Sequence, residues 1–282
     1  MIYISTGGLN FQTGNSSAEE LLDNGITAVE LSGGLYSSTI EQDVFNISDK
    51  LKLQIHNYFP PPSEPFVLNL ASSNNEVFQK STRLVQGAIK LCSKLGCSFY
   101  SFHAGFLFDP DVRRLGKKFV AGKLQKREFG LGLFIERVND LALFAQEFGI
   151  NLLIENNVFS HSNSKVFDEN PFLMSDHKDC LYVIQNTPKN VSLLVDVGHL
   201  KVSSKSLSFS KLDFLDQTKD HTLAYHLSDN DGLSDSNKPI TNDSWFWPYI
   251  RKDLNYYSLE VYGQSFNALK LQLELTKKQL SS

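Results

Sequence analysis

The chain is punctuated by short apolar runs, most of which stop at an acid or an imidazole. Leu193-Leu194-Val195-Asp196 is the plainest, with Gly198 and His199 following at once. Ile2-Tyr3-Ile4-Ser5, Ala28-Val29-Glu30-Leu31, Leu53-Gln54-Ile55-His56, Phe99-Tyr100-Ser101-Phe102-His103, Leu152-Leu153-Ile154-Glu155, Leu223-Ala224-Tyr225-His226 and Tyr257-Ser258-Leu259-Glu260 repeat the pattern. Continuous apolar runs bounded by turn signals read as buried parallel strands. Helical stripes lie between them: Leu84, Ala88, Leu91 and Leu95 before Gly96, and Phe134, Val138, Leu141, Ala145 and Phe148 before Gly149. Ser17-Ala18-Glu19-Glu20 reads as a capping box that opens a short helix closed by Gly25, and Phe266, Leu269 and Leu273 mark a last helix. Strands alternating with helices require βαβ crossovers and a parallel sheet. About eight such units in 282 residues have the proportions of an α/β chain closed into a (β/α)8 TIM barrel. An open doubly wound sheet would carry a Gly-rich first turn, which Gly7-Gly8 does not match. The expectation is one barrel domain over residues 1–282, with a long β4–α4 loop at about 104–130.

Composition bounds the function classes. Hydrophobic residues make up 41% and charged residues 21%, values of a globular protein. No window approaches the roughly 20 apolar residues of a membrane span. The N-terminus runs straight into a strand without a basic region or cleavage site. Cys92, Cys97 and Cys180 lack paired spacing, so inert thiols and a cytoplasmic location are expected. A net charge of −4 offers no general attraction to a phosphate backbone, and nucleic acid is not expected as a partner. Phe-rich helix surfaces suit a homo-oligomer interface or an ordinary core equally. The long loop holds Arg113, Arg114, Lys117, Lys118, Lys123, Lys126 and Arg127 against Asp109, Asp111 and Glu128. Two readings of it are open. It is either a solvated excursion with its own short helix, or a lid whose cations grip an anionic substrate such as a sugar phosphate.

His56, His103, Glu155, Asp196, His226 and Glu260 each stand at or next to the C-terminal end of an expected strand. In a parallel barrel all those ends share one face, so residues distant in sequence converge there. Taken singly, a strand-end His is more often a hydrogen-bonded structural residue, and a strand-end acid a loop cap. Six in one class of position argue for a site. Carboxylates and imidazoles gathered at one rim need a counter-charge, which a bound divalent cation supplies. Mixed oxygen and nitrogen donors point to Zn, Mn or Co, with Mg or Fe as further options.

The order and surroundings of these residues resemble the xylose isomerase-like TIM barrel superfamily, which includes endonuclease IV and the sugar isomerases and 3-epimerases. Ile154-Glu155-Asn156 is similar to its fifth-strand metal glutamate, and Asp196-Val197-Gly198-His199 to its sixth-strand D-x-x-H. His226-Leu227-Ser228-Asp229 resembles the seventh-strand histidine motif, and Leu259-Glu260 the eighth-strand glutamate. His56-Asn57-Tyr58 and His103-Ala104-Gly105 resemble the third- and fourth-strand histidines. The resemblance implies a metal held by Glu155, Asp196, His226 and Glu260. It also implies isomerisation or epimerisation of a sugar or sugar phosphate through an enediolate, with Glu155 and Glu260 as acid and base. His199 would contact a substrate oxygen.

The same superfamily implies an alternative, an endonuclease IV-like metal-dependent phosphodiesterase acting on DNA. There His56 and His103 with Glu155 would hold a second metal, and His199 a third. Asp235-Ser236-Asn237 departs from that pattern, with Asn where the third site takes His. The isomerase pattern is also incomplete, because Asp229-Asn230-Asp231-Gly232 stands where the 3-epimerases carry a substrate-binding arginine. Asp229, Asp235, Asn237 and Trp245 are candidate substrate-binding residues, an acidic and amide-rich set suited to hydroxyls. Trp245-Phe246-Trp247 reads either as core or as an aromatic wall for a sugar face. A related lyase or dehydratase, or a barrel that binds a ligand without turnover, is the third reading.

Overall fold

Runs that are apolar on both faces need cover on both, and a closed sheet wrapped in helices gives it. The computed structural model of the protein describes residues 1–9, 12–114, 119–120 and 122–282. Its strands are β1 (Ile2–Ser5), β2 (Ala28–Ser32), β3 (Lys52–His56), β4 (Phe99–His103), β5 (Asn151–Glu155), β6 (Val191–Asp196), β7 (Thr222–Leu227) and β8 (Tyr257–Leu259). Its helices are α1 (Gly14–Asp23), α2 (Ile40–Ile47), α3 (Asn75–Lys94), α4 (Arg127–Glu147), α5 (His161–Ser164), α6 (His177–Gln185), α7 (Val197–Ser206), α8 (Lys211–Thr218) and α9 (Phe266–Ser281). All neighbouring strands are parallel, in the order β1 to β8, and β8 pairs back onto β1. Closure leaves no free sheet edge. The expected (β/α)8 barrel is the observed one.

Side-chain alternation along each strand divides the core in two. Leu152, Ile154, Leu193, Val195, Tyr225 and Leu227 pack in the large core shared with the helices. Leu153, Leu194, Ala224 and Tyr256 form a separate buried cluster, with Tyr3 and Phe99 against it, that plugs the barrel interior. One further step along the same inward rows come Glu155, Asp196 and His226. Register brings them level: His103 lies beside Glu155 and Asp196 beside His226. An apolar floor therefore carries a polar rim.

Two local expectations change. Helix α1 starts earlier than the expected cap at Ser17. Thr13 is the N-cap, its Oγ1 accepting from the Ser16 N–H at 3.4 Å. Ser17 is buried within the helix, on a side packed by the fold and unavailable for capping. The β4–α4 excursion contains a short 3-10 turn at Val112–Arg114 and most of its described residues from 111 to 126 are exposed, but its phenylalanines pack inward. Phe119 packs with Phe159, Phe167 and Phe172, and Phe106 and Phe108 join them. Asn69 anchors the segment, its Nδ2 donating to Phe106 O at 3.2 Å and Phe108 O at 3.0 Å. Two of the described basic residues are paired within the protein. Arg127 is bound by Asp179 and by the carbonyls of Asn170 and Phe172, and Arg113 pairs with Asp111. Lys117 and Lys118 lie outside the described residues. No helix among the described residues is long and apolar enough to cross a membrane.

The plug predicts a stability cost. Leu194→Ala is expected to lose about 2–5 kcal/mol in urea unfolding, because neighbouring strands cannot collapse into the space. A loss well under about 1 kcal/mol would mean that the interior repacks freely.

Candidate metal centre

His226 is the hub. Its Nδ1 lies 3.5 Å from Glu155 Oε1, 3.6 Å from Glu260 Oε2 and 3.9 Å from Asp196 Oδ2. All four residues are buried. Ligand atoms of Glu155, Asp196 and His226 lie within 4.8 Å of one another, as do those of His56, His226 and Glu260 and those of His56, His103 and Glu155. Both carboxylate oxygens of Glu155, Asp196 Oδ2 and His226 Nδ1 are buried without a hydrogen-bond partner. Each such orphan costs about 1–3 kcal/mol or more when charged. A divalent cation would satisfy all of them at once, so the donor set fits a metal.

Local sequence explains the aim of each group. Asp196 ends β6 and caps α7: its Oδ1 accepts the His199 N–H at 2.7 Å, which leaves Oδ2 for the centre. Asn156 clamps the same backbone, accepting from Asp196 N–H at 2.8 Å and donating to Asp196 O at 3.2 Å. Gly198 is required in between, since a Cβ there would meet Ser228 Oγ at 2.6 Å and Asp196 Oδ1 at 3.1 Å. His199 is held at both nitrogens, Nδ1 at 2.9 Å from Asn156 O and Nε2 at 3.2 Å from Asp235 Oδ2. Its Nδ1 is also 3.2 Å from Glu155 Oε1.

A second layer, not singled out by the sequence, lies beneath. His226 Nε2 is 3.0 Å from Glu30 Oε2, and the Tyr256 hydroxyl donates to the same oxygen. That hydroxyl is 3.3 Å from Ser101 Oγ, which is 3.0 Å from His56 Nδ1. His56 Nε2 then reaches Glu155 Oε2 at 3.2 Å. Glu30, Tyr256 and Ser101 thus orient two histidines from below, and the Glu30 contact turns His226 Nδ1 toward the three carboxylates. An outer carboxylate on a ligating imidazole fixes ring orientation and raises basicity. The available signal was Glu30 itself, an acid inside an apolar strand.

The charges are split by environment. Burial pushes the Glu260 carboxyl up to about 8 and Asp196 up to about 6. Glu155 suffers the same desolvation, but His103, His226 and His56 hold it well below the usual carboxylate range. Desolvation also works against a charged His226, yet Glu30, Glu260 and Glu155 raise it well above an ordinary histidine. Burial takes His56 the other way, down to about 3.

A cavity of about 600 Å³ is lined by Asn57, Asn157, His103, His199 and Asp235 among others. Of the candidate substrate residues, only Asp235 lines it. Asp229 is paired with Lys201 Nζ at 2.5 Å and accepts from Ser244. Asn237 is buried, its carbonyl accepting from Tyr262 N–H at 2.9 Å. Trp245 sits under Lys211 Nζ, 4.3 Å from its ring centroid, while Phe246 and Trp247 are core. An aromatic wall exists, but it is built from Tyr58, Phe66, Phe106 and Phe172.

Comparison with known proteins accords with this geometry. A family model described as xylose isomerase-like TIM barrel matches residues 18–265. The chain belongs to that family. Among solved structures, a D-tagatose 3-epimerase-like protein superposes with a TM-score of 0.74 at 18% identity, covering 99% of this chain and 97% of that one. The Escherichia coli 3-keto-D-glucoside 4-epimerase, in apo form, gives 0.69 at 11% identity, with 98% of each chain covered. A Thermus thermophilus protein soaked with zinc chloride gives 0.60 at 20% identity, again over 98% of each. At these identities the likeness shows the fold. A probable endonuclease 4 of Aquifex aeolicus (strain VF5) is 44% identical over 41 residues, 14% of either length. This family member thus shares only a short segment with that curated relative.

The charge split and the lower layer each make a measurable difference. Glu260, His226 and His199 are all raised, so between about pH 6.5 and 8 the folded, metal-free protein holds protons that the unfolded chain releases. Its melting temperature should fall across that window. Low-lying His56 and His103 titrate in the unfolded chain only below it, with the opposite sign. Added zinc should raise the melting temperature more at pH 8 than at pH 6.5, because ligands must shed protons to bind; a larger rise at pH 6.5 would contradict this. Separately, Glu30→Gln and Tyr256→Phe should each weaken zinc binding about 10–100-fold in a chelator competition. Unchanged affinity in both variants would show that the lower layer does not orient His226.

Proposed function

We propose that the protein is a divalent-metal-dependent isomerase or epimerase of a sugar, with Glu155 and Glu260 exchanging the proton. The observation that carries this reading is the convergence of three buried carboxylates on His226 Nδ1 beside a cavity at the strand C-termini. Glu155, Asp196, His226 and Glu260 would hold the ion, and mixed oxygen and nitrogen donors suit Zn, Mn or Co, with Mg or Fe also able to serve. When bound, the ion would supply Lewis-acid polarisation of substrate oxygen. Glu155, kept ionised by the surrounding imidazoles, is the base that removes the proton alpha to the substrate carbonyl. Glu260, the other carboxylate of the pair, returns a proton to the opposite face of the enediolate. His199, whose Nε2 lies 3.2 Å from Asp235 Oδ2, addresses a substrate oxygen together with that carboxylate, and Asn57 offers its amide to hydroxyls in the same cavity. The similar folds of a D-tagatose 3-epimerase-like protein and a 3-keto-D-glucoside 4-epimerase support a sugar substrate.

A second reading, a phosphodiesterase of endonuclease IV type, draws on the additional group His56, His103 and Glu155. The short match to a probable endonuclease 4 also favours it. Against it stand Asn237 in place of the expected histidine and a net charge of −4.

Metal analysis of purified protein decides between them. The isomerase reading expects about one tightly held ion per chain, lost in Glu260→Gln, and solvent deuterium entering one or more of a panel of ketoses. Glu155→Gln should lower that exchange about 10²–10⁴-fold. Two or three ions with cleavage of abasic-site DNA would replace it with the phosphodiesterase.

A further inference from the structure

The cavity that takes in His103, His199 and Asp235 is also bounded by Tyr58, Phe66, Leu68, Phe106 and Phe172. His103 comes from the end of β4, His199 from the first turn of α7 and Asp235 from the loop after β7, and the apolar groups come from the loops after β3, β4 and β5. This apolar wall is built and rigid. Phe106 and Phe172 pair through an isolated antiparallel bridge, with ring centroids 5.4 Å apart and edge to face. Phe66 donates its N–H to the Tyr58 hydroxyl at 2.7 Å, and the two rings meet edge to face at 5.5 Å. Phe66 itself stays half-buried, an aromatic surface with no protein cover on one side. A volume of about 600 Å³ falls within the roughly 300–1,000 Å³ of pockets that enclose drug-sized ligands, more than a simple sugar fills.

Charge narrows the occupant. Among the described residues lining the cavity there is no lysine or arginine, and the adjoining centre is rich in carboxylates. Arg127 and Arg113 are committed to Asp179 and Asp111. A phosphoryl group entering here would meet carboxylates without a described cation to pair with it, whereas an apolar group would cover phenylalanine faces.

We propose that the substrate is an unphosphorylated keto sugar that keeps its carbonyl at the metal centre and carries an aryl or alkyl group, as ether or glycoside, on a carbon away from that carbonyl, seated against Phe66, Phe106 and Phe172. This rests on the reading of the adjoining centre as a sugar site. It assigns the hydroxyl-bearing ring to Asn57, His199 and Asp235, and the aryl or alkyl group to the loop wall.

Calorimetric titration of the zinc-loaded protein with phenyl β-D-glucoside, methyl β-D-glucoside and glucose 6-phosphate tests it. The phenyl glycoside should bind about 10-fold or more tighter than the methyl glycoside, a ratio expected of added apolar groups in a matching pocket. Phe66→Ala, at a half-buried position outside the barrel core, should reduce that ratio while keeping its zinc content. Equal affinities, binding of neither glycoside, or tighter binding of the phosphate overturns the proposal. Failure of the sugar isomerase reading looks different. A phenyl preference without deuterium exchange into any ketose would retain the aglycone wall and remove the reaction, and exchange without a phenyl preference would do the reverse.

Discussion

Three carboxylates around one imidazole nitrogen, all out of water, set the terms for the rest of this structure. Taking a carboxylate from solvent into a protein interior costs several kcal/mol even after relaxation, unless opposite charge or hydrogen bonds replace the water. Glu155, Asp196 and Glu260 share that burden around His226. The histidines supply part of the compensation, and the charges redistribute to supply more, with Glu260 pushed toward the neutral acid and His226 toward the cation. Closed-barrel geometry is what keeps so costly an arrangement from relaxing away. Each group stands on a strand hydrogen-bonded on both sides, above a plug of Leu153, Leu194, Ala224 and Tyr256. Glu30 and Asn156 then remove the remaining freedom of His226, Asp196 and His199.

What could be read in the sequence follows from what is local. Strand ends are local, because an apolar run and its stopping residue sit side by side, so all eight strands and the six rim residues were legible. The lower layer is not local. Glu30 meets His226 across 196 positions and Tyr256 across 226, and only barrel closure brings them together. Nothing in Ala28-Val29-Glu30-Leu31 says which residue its acid will face. The start of α1 was missed for a smaller reason. Thr13 and Ser17 are both hydroxyl residues before helical sequence, and burial of Ser17 leaves Thr13 to cap.

The β4–α4 excursion shows what composition leaves undecided. Counting its cations suggests a grip for an anion, but charge count says nothing about commitment. Arg127 is taken by Asp179 and two carbonyls, and Arg113 by its neighbour Asp111. The feature that organises the loop is instead its phenylalanines, which follow neither a helical nor a strand period and therefore form no stripe. Phe106, Phe108 and Phe119 find Phe159, Phe167 and Phe172 from the loops after β5, and together they make a small core of their own. Packing of this sort, between two irregular segments, has no periodic signature to detect.

The division between strand and loop residues bears on selectivity. Glu155, Asp196, His226 and Glu260 are fixed by backbone pairing and buried charge, so little about them can vary without unfolding the rim. Under the proposed isomerase reading they would address atoms that sugars share, adjacent oxygens and an acidic C–H, and would discriminate weakly between one sugar and another. Discrimination must come from surfaces that can change independently of the barrel, and in a TIM barrel those are the βα loops. Here the loops after β3, β4 and β5 contribute Phe66, Phe106 and Phe172 to the cavity, while the loop after β7 contributes Asp235 to hold His199. Apolar loop surface beside an ionic centre gives two unlike recognition elements in one space. A ligand of the proposed kind would offer hydroxyls to one and an apolar face to the other, and a ligand with only hydroxyls would leave the phenylalanines wet. The same contrast favours the centre itself, because excluding water beside it strengthens every charge interaction the carboxylates and imidazoles make.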